Sequence, residues 1–171
     1  RKYFIFNDLT QEGALIGIRI EGPLNSVDIR IDKLCKELDI LNSEFSILDP
    51  EQSNIFWNKT RKLEVFSELK SNLLRIVVPV SQTFDFIQKL KSYDVNYFLD
   101  WGGSLIWLQL DQISVKILKE IKDITYNMSG YLTAIKIEED IKASVDIFTI
   151  DPIKYKISEK IKKSFDPKRI L

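Results

Sequence analysis

Apolar and polar positions alternate with two periods along this chain, and the changes of period mark its elements. Leu15 to Glu21 reads Leu-Ile-Gly-Ile-Arg-Ile-Glu, a β-branched alternating run that predicts a strand ended by Gly22-Pro23. Val27, Ile31, Leu34, Cys35 and Leu38 then recur with the spacing of one helix face, and Asn25 or Ser26 can cap that helix. Cys35 on this face reads as a small buried hydrophobe in preference to a reactive thiol. Phe45 to Leu48 predicts a short strand. Asp49-Pro50 predicts a helix start, with Asp49 as the cap and proline in the first turn. That helix carries Ile55, Phe56 and Trp57 and ends near Arg61.

The second half is patterned more clearly. A strand is predicted over Leu73 to Val80, then a helix capped by Ser81 with Phe84, Ile87 and Leu90 on one face. Val95 to Trp101 and Ser104 to Leu110 predict two strands joined by a Gly102-Gly103 hairpin turn. Asp111 is expected to cap a long helix with Ile113, Ile117, Ile121 and Ile124 inward, Gly130 to stop it, and Tyr131 to Ile137 to follow as a strand. This order, β-α-β-β-α-β, is the ferredoxin-like split unit. Val145 to Ile150 is a further strand candidate. Asp151-Pro152 opens a last helix with Ile153, Ile157 and Ile161 in one line and five lysines between Lys154 and Lys163 on its other faces, a solvated face or a patch for a partner domain. The early β-α-β segment is expected to extend the same sheet. The expected fold class is α+β: a ferredoxin-like antiparallel sheet with helices on one face, extended by additional strands and a C-terminal helix, as one domain over residues 1–171.

An antiparallel sheet covered by helices on one side leaves its other side for a ligand or another domain. Side chains alternate between the two sides. Leu74, Ile76 and Val78 then belong to the helix side with Ile106, Leu108 and Leu110. Arg75 and Val77 belong to the open side with Trp107 and Gln109. An arginine beside an indole on an uncovered sheet suits a contact surface; pairing of Arg75 with a surface carboxylate is the other reading.

Composition narrows the chemistry. Lys+Arg and Asp+Glu balance at 25 each, which argues against nucleic-acid binding by bulk positive charge. The absence of histidine excludes His-based triads and His-ligated zinc. A single cysteine excludes an intramolecular disulfide and Cys-rich metal sites, so metal independence is expected. No apolar run reaches the roughly 18 residues of a membrane span, and Tyr3-Phe4-Ile5-Phe6 is too short for a secretory core. The sequence has no Gly-x-Gly-x-x-Gly, phosphate loop or Gly-x-Ser-x-Gly elbow. Glu138-Glu139-Asp140 reads as a solvated turn. Gly103-Ser104-Leu105-Ile106-Trp107-Leu108 matches the aromatic pattern of RNA-recognition domains poorly. A small-molecule-binding or regulatory ferredoxin-like module is compatible with everything so far.

Four stretches, in order, carry a resemblance. Ile18-Arg19-Ile20-Glu21-Gly22-Pro23-Leu24-Asn25-Ser26-Val27-Asp28-Ile29-Arg30 is similar to R-x-E-G-x-x-x-S-V-x-x-R. A second run passes from Asp49 through Ser53 and Trp57 to Arg61, then to Leu74-Arg75-Ile76-Val77-Val78-Pro79-Val80-Ser81, similar to W-R-x-S-V-P-P-S with leucine for the tryptophan and Val80 for the second proline. Leu99-Asp100-Trp101-Gly102-Gly103-Ser104-Leu105-Ile106-Trp107-Leu108 is close to L-D-W-G-G-A-x-x-W-L. Ile161-Lys162-Lys163-Ser164-Phe165-Asp166-Pro167-Lys168-Arg169-Ile170-Leu171 resembles the terminal L-K-x-x-F-D-P-x-x-I-L-N-P-G-R of FAD-linked oxidases as far as the residue before its Asn-Pro-Gly. Together they resemble the C-terminal part of the FAD-binding E subunit of glycolate oxidase (glycolate dehydrogenase). The absent histidines set the chain apart from the metal-dependent sister D subunits.

The resemblance implies a cap or substrate domain whose sheet faces an FAD held by an N-terminal domain, of which this chain contains none. It implies oxidation of a 2-hydroxy acid, glycolate to glyoxylate, within a complex containing a sister flavoprotein and an iron–sulfur subunit, cytoplasmic and reaching a membrane only through that complex. The 171-residue piece alone is expected neither to bind FAD nor to oxidise glycolate. Arg75 and Arg61 are the candidate substrate-binding residues, and Trp101 and Trp107 the candidate cofactor-binding ones. The alternative is a ferredoxin-like small-molecule-binding or regulatory module with no flavin link.

Overall fold

The computed structural model describes residues 2–5, 16–40, 45–66, 72–148, 152–168 and 170. The chain divides into two compact units, Arg1–Val65 and Phe66–Leu171. In the first, β1 (Lys2–Ile5), β2 (Gly17–Ile20), α1 (Leu24–Ile40), β3 (Ser46–Leu48) and α2 (Pro50–Arg61) follow one another. β1 pairs antiparallel with both β2 and β3, giving the sheet order β2-β1-β3. Val27 and Ile31 of α1 are buried with Ile20, and Leu34 and Cys35 pack against them, as the helical spacing requires. Asp49 caps α2: its Oδ1 accepts the N–H of Glu51 and of Gln52, each at 2.8 Å, and the Gln52 side chain accepts the Asp49 N–H at 3.1 Å, a reciprocal capping box.

The expectation that this early segment extends the sheet of the second half does not hold. β1 was not expected as a strand, yet it is the centre of a separate three-stranded sheet. Both neighbouring strands find their backbone partners there.

The second unit runs β4 (Asn72–Val77), α3 (Val80–Lys89), β5 (Val95–Asp100), β6 (Leu105–Leu110), α4 (Val115–Asn127), β7 (Tyr131–Lys136), α5 (Glu139–Ser144) and α6 (Pro152–Phe165). Its sheet is antiparallel throughout, with order β5-β6-β4-β7. This is the ferredoxin-like arrangement, with the two central strands contributed by the two halves of the split unit. Leu74, Ile76, Ile106, Leu108 and Leu132 of the sheet are fully or almost fully buried with Phe86 of α3, with Leu90 at its C-terminal cap, and with Leu118 and Ile121 of α4. The two helices therefore cover one side of the sheet.

Several boundaries differ from the sequence expectations. α3 begins at Val80 behind Pro79 and has no side-chain cap; Ser81 lies inside its first turn. The buried face of α3 carries Thr83 and Phe86 and leads to the buried cap residue Leu90, while Phe84 is exposed, because two apolar faces compete in this helix and the sheet takes the one with Phe86. Ser114, not Asp111, caps α4, its Oγ accepting the Ile117 N–H at 3.2 Å; Ser114 is the hydroxyl immediately before the first helical residue. Glu138-Glu139-Asp140 is a helix start: Glu139 and Asp140 form the first turn of α5, where negative charge opposes the positive end of the helix dipole. The Val145 to Ile150 strand is reduced to a bridge between Phe148 and Thr133, with the Ala134 N–H donating to the Ile147 carbonyl at 2.8 Å; residues 149 and 150 lie outside the described residues, as do Leu15 and Asp151. In α6 the described side chains 153–158 and 160–165 are exposed, including the Ile153, Ile157 and Ile161 line.

Candidate functional site

The register of the four-stranded sheet sets one row of side chains across all four strands. Arg75 of β4 lies opposite Trp107 of β6 and Thr133 of β7, and Trp107 lies opposite Phe98 of β5. The neighbours of Arg75, Leu74 and Ile76, are both fully buried on the helix side. By alternation the row Phe98–Trp107–Arg75–Thr133 belongs to the opposite side, and all four of its members are half-buried. That side is not uniformly open, since Leu73, Leu105 and Gln109 on it are buried.

Trp101 joins this row from the turn between β5 and β6. Its ring centre lies 5.2 Å from the Arg75 Cζ, within cation–π range. The turn is a short 3-10 segment, Trp101–Gly103, rather than the two-residue hairpin turn expected. Three consecutive residues have positive φ: Trp101 at 53°, Gly102 at 64° and Gly103 at 102°. A Cβ added at Gly102 or Gly103 would meet nothing within 4 Å, so these glycines are required by backbone conformation and not by space. The turn is pinned at three points. Asp100 Oδ1 accepts the Trp101 N–H at 2.7 Å, Thr83 Oγ1 of α3 donates to the Gly103 carbonyl at 2.8 Å, and the Val78 N–H donates to the Ser104 carbonyl at 2.9 Å.

Among the described residues no carboxylate is within ion-pair range of Arg75; the contact of its guanidinium is the Trp101 ring. Among the described residues it is therefore the Trp101 ring, and no surface carboxylate, that it meets. A half-buried guanidinium lying against one indole keeps hydrogen-bond donors for a ligand, and its planar fork matches a carboxylate through two parallel bonds.

Of the four side chains singled out from the sequence, the sheet brings together Arg75, Trp101 and Trp107. Arg61 is in the other unit, exposed at the end of α2, where its Nη2 donates to Asn58 Oδ1 at 3.0 Å. Thr133 escaped the sequence reading because its proximity to Arg75 depends on register between strands that are not neighbours in sequence, whereas the pairing of Phe98 with Trp107 is that of the β5–β6 hairpin itself. Thr83 escaped it because its partner is a backbone carbonyl twenty residues away.

The first unit holds an aromatic cluster of its own. Trp57 packs edge-to-face on Phe56 with centroids 5.1 Å apart, and the Arg19 Cζ lies 5.8 Å from the Trp57 ring centre. Arg19 also pairs with Glu21. Trp57 Nε1 and Ser53 Oγ, one helical turn apart, are buried without hydrogen-bond partners among the described residues. Cys35 is partly buried in this unit. Burial, followed by the charges of Asp39 and Asp32, pushes its thiol up, so it is not an activated nucleophile. The Phe-Asp-Pro residues near the C-terminus have a local role: Asp166 is buried and its Oδ1 accepts the Ile170 N–H at 2.9 Å.

Comparison of the chain with protein-family models, with curated proteins and with solved structures gives no match. Among the described residues no helix is long and apolar enough to cross a membrane, and no three or more His, Cys, Asp or Glu side chains group as a metal site.

Proposed function

We propose that this chain is the substrate-side cap of an FAD-linked 2-hydroxy-acid oxidoreductase, acting on glycolate or a close relative, and that the Arg75 row receives the carboxylate. The observation that carries this reading is Arg75 itself: a half-buried guanidinium with no carboxylate partner among the described residues, lying against Trp101 on the sheet side away from α3 and α4. The four matching sequence stretches supply the class, and two of them, around Arg75 and around Trp101, meet at this point of the fold.

The residues present fit one end of a flavin and not the other. The half-buried Trp107 indole, in the row beside Arg75, offers an apolar face to a ring system. The sequence offers no glycine-rich loop before a helix that could cradle a diphosphate. In this proposal another domain holds the FAD, and the cap closes over its reactive face. Acceptance of a hydride equivalent from the hydroxyl-bearing carbon is the chemistry a bound flavin supplies. The part of this chain is to fix the carboxylate through Arg75 and to keep water out with the aromatic row. The sister flavoprotein and iron–sulfur subunits belong to the same proposal as the route for the electrons.

The test is spectroscopic. The full-length protein, purified with the subunits that accompany it, carries a flavin whose visible absorption bleaches on anaerobic addition of glycolate. A full-length protein without flavin, or one whose flavin is indifferent to every small 2-hydroxy acid, contradicts the proposal and favours the regulatory-module alternative.

A further inference from the structure

Trp101 combines two features that are seldom found together. Its backbone is left-handed, with φ at 53°, a conformation that is an outlier for a bulky residue and costs an L-residue free energy relative to glycine. It is also the most exposed of the aromatic residues around Arg75, at 59% of its full surface. Packing therefore does not explain why a tryptophan stands where a glycine would be easier. The following two glycines already make this a left-handed turn, and Asp100, Thr83 and Val78 fix its position from three sides. What the strained conformation achieves is the placement of the indole 5.2 Å from the Arg75 guanidinium.

We infer that Trp101 is a positioning residue for Arg75: the Asp100–Gly103 turn holds the indole against one face of the guanidinium, so that its donor edge is presented in one orientation to an incoming carboxylate. A free arginine samples many rotamers and loses that freedom on binding. One held by an aromatic face has lost part of it already. This changes the role assigned to Trp101 on sequence grounds, from a flavin contact to the orientation of a substrate-binding group. Trp107, opposite Arg75 in the register, remains the indole that belongs to the row itself. The inference rests on the proposed carboxylate site for its consequence in turnover, and on the Arg75–Trp101 contact alone for its structural part.

The experiment uses the full-length protein with its accompanying subunits and the variants Trp101→Gly, Trp101→Phe and Arg75→Lys. Loss of the indole raises the glycolate KM by roughly fivefold, the order of an exposed cation–π contact, while kcat changes little, and Trp101→Phe restores part of the loss. In the Arg75→Lys background Trp101→Gly adds less than about twofold, because the residue acts through the guanidinium. The thermal midpoint of Trp101→Gly does not fall, since the left-handed strain is relieved; a merely structural tryptophan would lower midpoint and turnover together. Independently of any flavin chemistry, modification of Arg75 by phenylglyoxal, followed by mass spectrometry, becomes severalfold faster in Trp101→Gly. Unchanged Arg75 reactivity overturns the inference even if glycolate turnover is found, and so do KM effects that multiply fully in the Arg75→Lys background. Faster Arg75 modification in a protein without flavin or glycolate turnover supports the positioning role while refuting the proposed function.

Discussion

The end of α4 contains two adjacent residues whose replacements are predicted to act in opposite directions. Ser129 is left-handed at φ 53°. Its N–H donates to the Tyr126 carbonyl at 2.9 Å, and the Gly130 N–H donates to the Thr125 carbonyl, also at 2.9 Å. This is a Schellman closure with serine in the position usually held by glycine. Gly130 serves a different need: a Cβ there would stand 2.7 Å from the Val77 carbonyl oxygen, 2.8 Å from Val78 Cγ1 and 3.0 Å from Thr125 Cγ2. The first of these is backbone at the end of β4 and cannot swing away. Gly130→Ala should therefore bring an overpacking cost of about 1–3 kcal/mol, offset by about 0.4–1 kcal/mol from the stiffer unfolded chain, for a net loss of about 1–2 kcal/mol. Ser129→Gly relieves roughly 1–2 kcal/mol of left-handed strain and gives back about 0.5–1 kcal/mol to the entropy of the unfolded glycine, for a net gain of about 0.5–1 kcal/mol. Urea unfolding followed by circular dichroism reads both, as midpoints that move apart with unchanged slope. A neutral Gly130→Ala would contradict the close approach of Gly130 to the Val77 carbonyl, and a destabilising Ser129→Gly would contradict the left-handed strain assigned to Ser129.

Phe86 is fully buried between α3 and the sheet, so Phe86→Ala should cost about 3–5 kcal/mol in the same assay, whereas Phe84→Ala on the exposed face should stay within about 0.5 kcal/mol. The Tyr93 hydroxyl donates to Glu120 Oε2 at 2.7 Å; that bond, then burial, then the Glu120 charge raise its pKa above the ordinary 10.0. Because the folded value is the higher one, its contribution is fully present below the unfolded pKa and is lost as pH rises through the folded value. Tyr93→Phe should cost about 0.5–1.5 kcal/mol near neutrality and flatten the alkaline limb of a stability–pH curve; an unchanged alkaline limb would contradict the pairing. Cys35 should react with a thiol reagent more slowly than a free cysteine at the same pH, its pKa being raised by burial and by Asp39 and Asp32; a rate equal to that of free cysteine would place it outside the α1 core.

The ferredoxin-like unit was legible because its two helices and four strands change period at clear punctuation, and because alternation along β4 and β6 by itself assigns Arg75 and Trp107 to one side. The proximity of Trp101 to Arg75 was only half legible. The Asp-Trp-Gly-Gly sequence announces a turn, but a left-handed tryptophan is not something propensity suggests. β1 stayed hidden because four residues, Lys2 to Ile5, are too few for a period to emerge, and its neighbours were then assigned to the wrong sheet. Phe86 and Phe84 show the same limit in a helix: two apolar faces satisfy the period almost equally, and only the shape of the sheet chooses between them. Arg61 illustrates the converse, since a matching motif position says nothing about which unit a side chain serves.

The most direct test of the central claim is the dissociation constant for glycolate, measured by flavin difference spectroscopy on the full-length protein with and without Arg75→Lys. A lysine keeps the charge but cannot make the two parallel bonds of a guanidinium. The loss of one charge-assisted hydrogen bond corresponds to roughly tenfold or more. The account predicts a glycolate constant at least about tenfold weaker in Arg75→Lys, with flavin content and thermal midpoint unchanged. Equal affinity in the two proteins, with both folded and flavin-loaded, would contradict it.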